Sequence, residues 1–86
     1  MTFGVESAIP NAAPYTVIVS ARRGDRMSGE SLPFLDAGAA AAWIDKWVTA
    51  RRGEGFEVVR AEIHDTRNGS LLAGTAELAP PISGDP

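Results

Sequence analysis

The sequence has one histidine, His64, and Glu62 stands two residues before it. In an extended strand that spacing puts both side chains on one face. A carboxylate beside an imidazole can tune a proton donor, so this pair, with Asp65 adjoining, is the one constellation suited to acid–base chemistry. No serine, cysteine or lysine is placed beside it as a nucleophile, and a flat sheet offers no concavity for a substrate. Polar strand residues near a turn are the simpler reading. Arg22, Arg23, Arg26, Arg51 and Arg52 form a second group. Guanidinium forks match phosphate oxygens, and the five could become contiguous if the loop after the first strand folds back beside the helix that ends in Arg51-Arg52. Contact with an anion or with nucleic acid is the alternative function this cluster offers. A net charge of −3 opposes it, because nucleic-acid binders are usually basic.

Other short signals are explained by local structure. Arg23-Gly24-Asp25 matches an adhesion tripeptide and Asn68-Gly69-Ser70 a glycosylation acceptor. The first is a common chance match, and the second is explained by a hairpin turn. Gly53 and Gly55 precede a strand and lack a third glycine, so no phosphate loop is present. Trp43 and Trp47, one helical turn apart, could stack on bases if exposed. They read better as core anchors, with Trp43 at the edge of the apolar arc.

The chain that must position these residues has 86 residues, enough for one small domain. It contains no cysteine, which excludes disulfides and thiolate metal sites. A single histidine excludes a multi-imidazole site within one chain. No cofactor is implied. No apolar run approaches the roughly 18 residues of a membrane helix and the first residues lack a signal-peptide pattern, so no membrane association and a cytoplasmic location are expected. Seven arginines to one lysine, with 14 alanines, fit a GC-rich genome such as that of an actinobacterium or its phage.

Residues 1–14, with Pro10 and Pro14, read as a flexible arm, and 79–86, with three prolines, as a flexible tail. Between them lies a single domain over 15–78. Tyr15–Arg22 is a strand and Arg23–Gly29 a polar loop. Glu30–Leu35 is a short edge strand or no strand, because Pro33 cannot donate to a ladder. Asp36 caps a helix that runs to about Arg52 and ends at Gly53 in the left-handed conformation. Gly55–Asp65 and Ser70–Leu78 are strands joined at Asn68-Gly69. A two-residue loop would pair Arg67 with Ser70, a four-residue loop Asp65 with Ser70. The fold class is therefore α+β: a small two-layer sandwich, β-(β)-α-β-β, with one helix on a mainly antiparallel sheet of three or four strands. In order of elements alone, residues 15–78 are loosely similar to two kinds of small α+β domain: the double-stranded-RNA-binding-like folds and the arm-binding domain of tyrosine integrases.

Alternation puts Tyr15, Val17, Val19, Ala21, Val59, Ala61, Ile63, Leu72, Gly74, Ala76 and Leu78 beneath the helix. It leaves Ile18, Phe56, Val58 and Leu71 on the outer face. A helix about 10 Å wide cannot roof a sheet roughly 14 to 19 Å across. The leading expectation is a non-enzymatic interaction module, self-associating as a homodimer or binding a protein partner through that outer face or an edge strand.

Overall fold

Val17, Val19 and Ala21 are wholly or almost wholly buried, and they make the first strand the centre of the domain. The computed structural model describes residues 13–81. In it β1 (Tyr15–Arg23) lies between β2 (Arg26–Phe34) and β3 (Glu57–Asp65), and β4 (Leu71–Ala73) completes the antiparallel order β2-β1-β3-β4. One main helix, α1 (Ala37–Gly53), packs over β1 and β3, and a single turn, α2 (Thr75–Leu78), follows β4. This is the small α+β domain that the order of elements predicts. No helix among the described residues is long and apolar enough to cross a membrane.

Ala40, Ile44, Trp47 and Val48 recur at helical spacing and form the buried stripe of α1. They meet Val17, Val19, Ala21, Ala61 and Ile63 of the sheet. Trp43 is half-buried at the margin, with its ring 6.0 Å from that of Phe34. Asp36 caps the helix as expected, its carboxylate accepting the Ala39 N–H at 2.8 Å. The far end differs from expectation by two residues. Gly53 is still helical, and it is Gly55 that turns left-handed, at φ 87°. The Gly55 N–H bonds to Arg52 O and the Phe56 N–H to Arg51 O, a Schellman closure that satisfies the last carbonyls.

The first hairpin is longer than the sequence predicts. Arg23 pairs with Arg26 across the two-residue turn Gly24-Asp25, with Gly24 at φ 62°, the first-position glycine that a tight hairpin of this kind requires. The expected polar loop therefore belongs mostly to β2, which extends to Phe34 and includes Pro33.

Two bulges correct the expected faces. Ser20 is opposite Arg60 but Ala21 is opposite Val58, so Val59 is an inserted residue. Such an insertion exchanges the faces of all residues before it. Phe56 and Val58, expected outside, pack on the core beneath α1, and Val59, expected inside, is 48% exposed. In β4, His64 is opposite Leu71 and Ile63 opposite Ala73. Ala73 thus packs inward and Leu72, expected inside, is exposed.

The expected strand Ser70–Leu78 is broken at Gly74. The second hairpin takes the four-residue loop, with the Asp65 N–H on Ser70 O, and of Asn68-Gly69 only Gly69 has positive φ. After Ala73 the chain turns into α2, whose Glu77 carboxylate accepts the Gly74 N–H at 2.7 Å. Ala79 is buried, and Arg52 donates to the carbonyls of Ala79 and Pro80, so packing continues past the expected boundary at Leu78. The Pro14 carbonyl likewise accepts the Thr66 N–H. Residues 1–12 of the expected arm and 82–86 of the expected tail lie outside the described residues.

Where a longer β4 would have paired with Ala61, the Thr75 hydroxyl accepts the Ala61 N–H at 3.0 Å. Thr75→Val keeps the shape and removes that acceptor, leaving the donor of a fully buried residue unmet. A loss of about 1–3 kcal/mol in urea unfolding is expected. Thr75→Ser should recover most of it.

Candidate interaction site

With Phe56 and Val58 inside, the outer face is a polar surface. Ile18 is half-buried there, between Ser31 of β2 and Glu62 of β3, and Leu71 is exposed opposite His64. Thr16 and Thr66 share a hydroxyl–hydroxyl hydrogen bond of 2.7 Å. Of the four apolar residues expected on this face, only Ile18 and Leu71 are on it, and Met27, opposite Arg22, joins them.

Glu62 and His64 do come together. Glu62 Oε1 lies 2.8 Å from His64 Nε2 and accepts from Arg60 Nε at 2.7 Å. His64 Nδ1 is 3.4 Å from the Gly69 carbonyl. One carboxylate oxygen thus serves both an imidazole and a guanidinium. The Glu62 carboxyl is held below its ordinary value first by the hydrogen bond from His64 and then by Arg60, against the opposing effect of burial. The arrangement is a surface clamp between neighbouring positions of β3. An open cleft of about 620 Å³ lies on the helix side, lined by Phe56, Val58, Thr75, Ala76 and Pro81 among others, and none of Arg60, Glu62 and His64 borders it.

The arginine cluster is partly assembled and largely engaged. The Arg23 side chain lies against Gly55, so the first hairpin does reach the end of α1. Arg22 pairs with Glu57 and Arg51 with Glu54, both at 3.3 Å. The Arg51 guanidinium also lies 5.7 Å from the Trp47 ring centre and 6.0 Å from that of Phe56. Arg52 is spent on the Ala79 and Pro80 carbonyls. Of the five, Arg23 and Arg26 have no carboxylate partner among the described residues.

The sheet edges are the feature that sequence reasoning underestimated. Exposed large apolar side chains gather there: Met27 and Leu35 at the two ends of β2, and Val59, Leu71 and Leu72 along the other side. The second edge is short, because β4 has three residues and α2 takes over beside β3. The first is a nine-residue strand with no described residues beyond it.

Which β2 groups face outward follows from the ladder. The Ala61 N–H points away from β1, to Thr75, so Ala61 and Val19 form a non-hydrogen-bonded pair. Antiparallel bonding alternates, so Val19 directs its own N–H and C=O toward Glu30, its partner in β2. By the same alternation Ser28 and Leu32 also bond to β1, while Met27, Gly29, Ser31 and Pro33 direct their backbone groups to the free edge. Pro33 is tolerated because its missing N–H would have pointed into solvent. The sequence signal was present: a glycine opening a two-residue connection between Arg23 and Arg26 marks a hairpin and makes Arg26–Gly29 strand rather than loop.

No family model, curated protein or solved structure matches this chain, and its function is read from its own surface.

The Glu62 clamp has a definite acid dependence. Its folded-state carboxyl titrates below the ordinary value of 4.5, so its stabilisation is complete above that pH and lost as pH falls through the lower folded value. Asp65, held low by Arg67, acts in the same direction but is present in both proteins compared. Thermal midpoints should therefore fall less steeply for Glu62→Gln than for wild type between about pH 5 and 3. Equal slopes would exclude the clamp as a source of acid sensitivity.

Proposed function

We propose that this chain is a non-enzymatic protein-interaction module that acts by strand addition at the free edge of β2. One observation carries the reading: Met27, Gly29 and Ser31 direct backbone donors and acceptors outward with no partner among the described residues, along a strand that is exposed over most of its length. Such an edge is a template for another extended segment, whose backbone supplies affinity while side chains at alternate positions supply specificity. Pro33 limits the template to its first two-thirds. Exposed Met27, 62% accessible, adds apolar area at the site of contact.

The outer sheet face supports this role less well, because its centre is occupied by the Arg60–Glu62–His64 clamp and its apolar residues Ile18, Met27 and Leu71 are spread over three strands. Contact with nucleic acid through the arginines has weaker support still, with Arg22, Arg51 and Arg52 already bonded within the domain.

A photo-crosslinking side chain discriminates edge from face. Placed at position 31, on the edge, it should give an adduct with another protein chain, and Met27→Pro, which deletes an outward N–H, should reduce that adduct at least about tenfold. The same probe at position 60, on the inner strand β3 in the middle of the outer face, should give little. Adducts from 60 with or without 31, or from neither, would remove this reading.

A further inference from the structure

Resting on that reading, we infer that the strand added at the β2 edge is β2 of a second copy, in one particular register. Arg26 and Glu30 are four residues apart on β2, so they share a face, and both are exposed. Neither has an ion-pair partner among the described residues, although four arginine–carboxylate pairs form elsewhere on the domain. They are opposite charges at the exposed margin of an unpaired strand.

Two copies related by a two-fold axis pair antiparallel, and hydrogen bonding requires outward-facing residues of one to meet outward-facing residues of the other. Only registers centred on a single residue meet that condition. Centring on Glu30 places two Glu30 carboxylates directly opposite each other, which is destabilising, and sets Pro33 against Met27. Centring on Gly29 sets Ser28 against Glu30 and leaves Arg26 opposite Leu32. Centring on Met27 shortens the ladder to the residues next to the turn. Centring on Ser28 sets Arg26 opposite Glu30 of the second copy and Glu30 opposite its Arg26, so the symmetry makes both charge pairs at once.

The same register satisfies the backbone. Met27 and Gly29 of each copy exchange both their hydrogen bonds, and Pro33 falls beyond the end of the ladder. Met27 then lies across from Gly29 of the other copy, where no Cβ obstructs its side chain. Gly29 itself is already confined within the domain, since a Cβ there would come within 3.0 Å of Val19 O. The product is one continuous eight-stranded sheet, with a helix from each copy on the same side.

A contact of about five residues per copy is well below the size of standard specific interfaces, so the dimer should be weak and concentration-dependent. Sedimentation of the full chain from about 10 μM to 1 mM should show a monomer–dimer equilibrium within that range. Arg26→Glu sets like charges opposite each other twice and should weaken the dimer at least about tenfold, as should Glu30→Arg. The combined R26E/E30R chain restores both pairs and should return to within about threefold of wild type. Tryptophan fluorescence of every variant verifies that the domain is folded. A dimer abolished by Met27→Pro but unaffected by either charge reversal, or not restored in the combined chain, overturns this register and leaves edge pairing standing. A wild type that stays monomeric to 1 mM while position 31 still crosslinks to a different protein overturns the second copy as occupant and leaves strand addition standing.

Discussion

One hydroxyl sets how this sheet ends. Thr75 takes the Ala61 N–H where a longer fourth strand would have taken it, and two consequences follow. That side of β3 is closed by a turn of helix, so the longer unpaired edge is at β2. The outward direction of Ala61 also sets the hydrogen-bonding phase of the whole ladder, because each residue of β1 can bond to only one neighbour. The groups left open on β2 are thus determined two strands away.

Sidedness depends on the inserted Val59. Phe56 and Val58 lie beneath the helix because one residue of β3 is not matched in β1. The exchange has a physical advantage at that position. Phe56 follows the left-handed Gly55 directly and packs on the core beside Arg51, whose guanidinium also faces Trp47, filling the corner where α1 gives way to the sheet. An unbulged strand would turn Phe56 into water and leave that corner empty. Exposing Val59 alone costs less than exposing a phenylalanine and a valine together.

This explains which parts of the structure were legible in the sequence. The helix, its Asp36 cap, its buried stripe and the inner faces of β1 and of β3 from Ala61 onward follow from periodicity and capping chemistry, which are local. The bulges are not local: whether Val59 or Val58 turns inward depends on how Ser20 and Ala21 align across the ladder. Likewise Ser70–Leu78 alternates well enough to read as a strand, yet Thr75 and Glu77 gain more by binding Ala61 N–H and Gly74 N–H than by continuing it. Contacts of that kind join residues distant in sequence or compete with the pattern. Of the site, the contact of Glu62 with His64 was readable from two-residue spacing. The engagement of Arg52 with Ala79 and Pro80 was not, since it depends on where the end of the folded chain packs.

A free edge is a hazard for any sheet protein, and charges and prolines on edge strands commonly guard against unspecific pairing. β2 carries both kinds of guard, but their placement is uneven. Pro33 lies toward the far end of the strand, so it blocks only that part. Arg26 and Glu30 oppose addition of an arbitrary apolar strand, because each would lose hydration without gaining a partner. Against a strand that offers the same two residues in reverse order that cost is offset at both positions. Discrimination between partners rests on such differences, in which one arrangement rejects most strands and accepts its complement. An antiparallel copy of β2 is that complement, and no other described strand of the domain carries an arginine and a glutamate in this spacing on an unpaired edge.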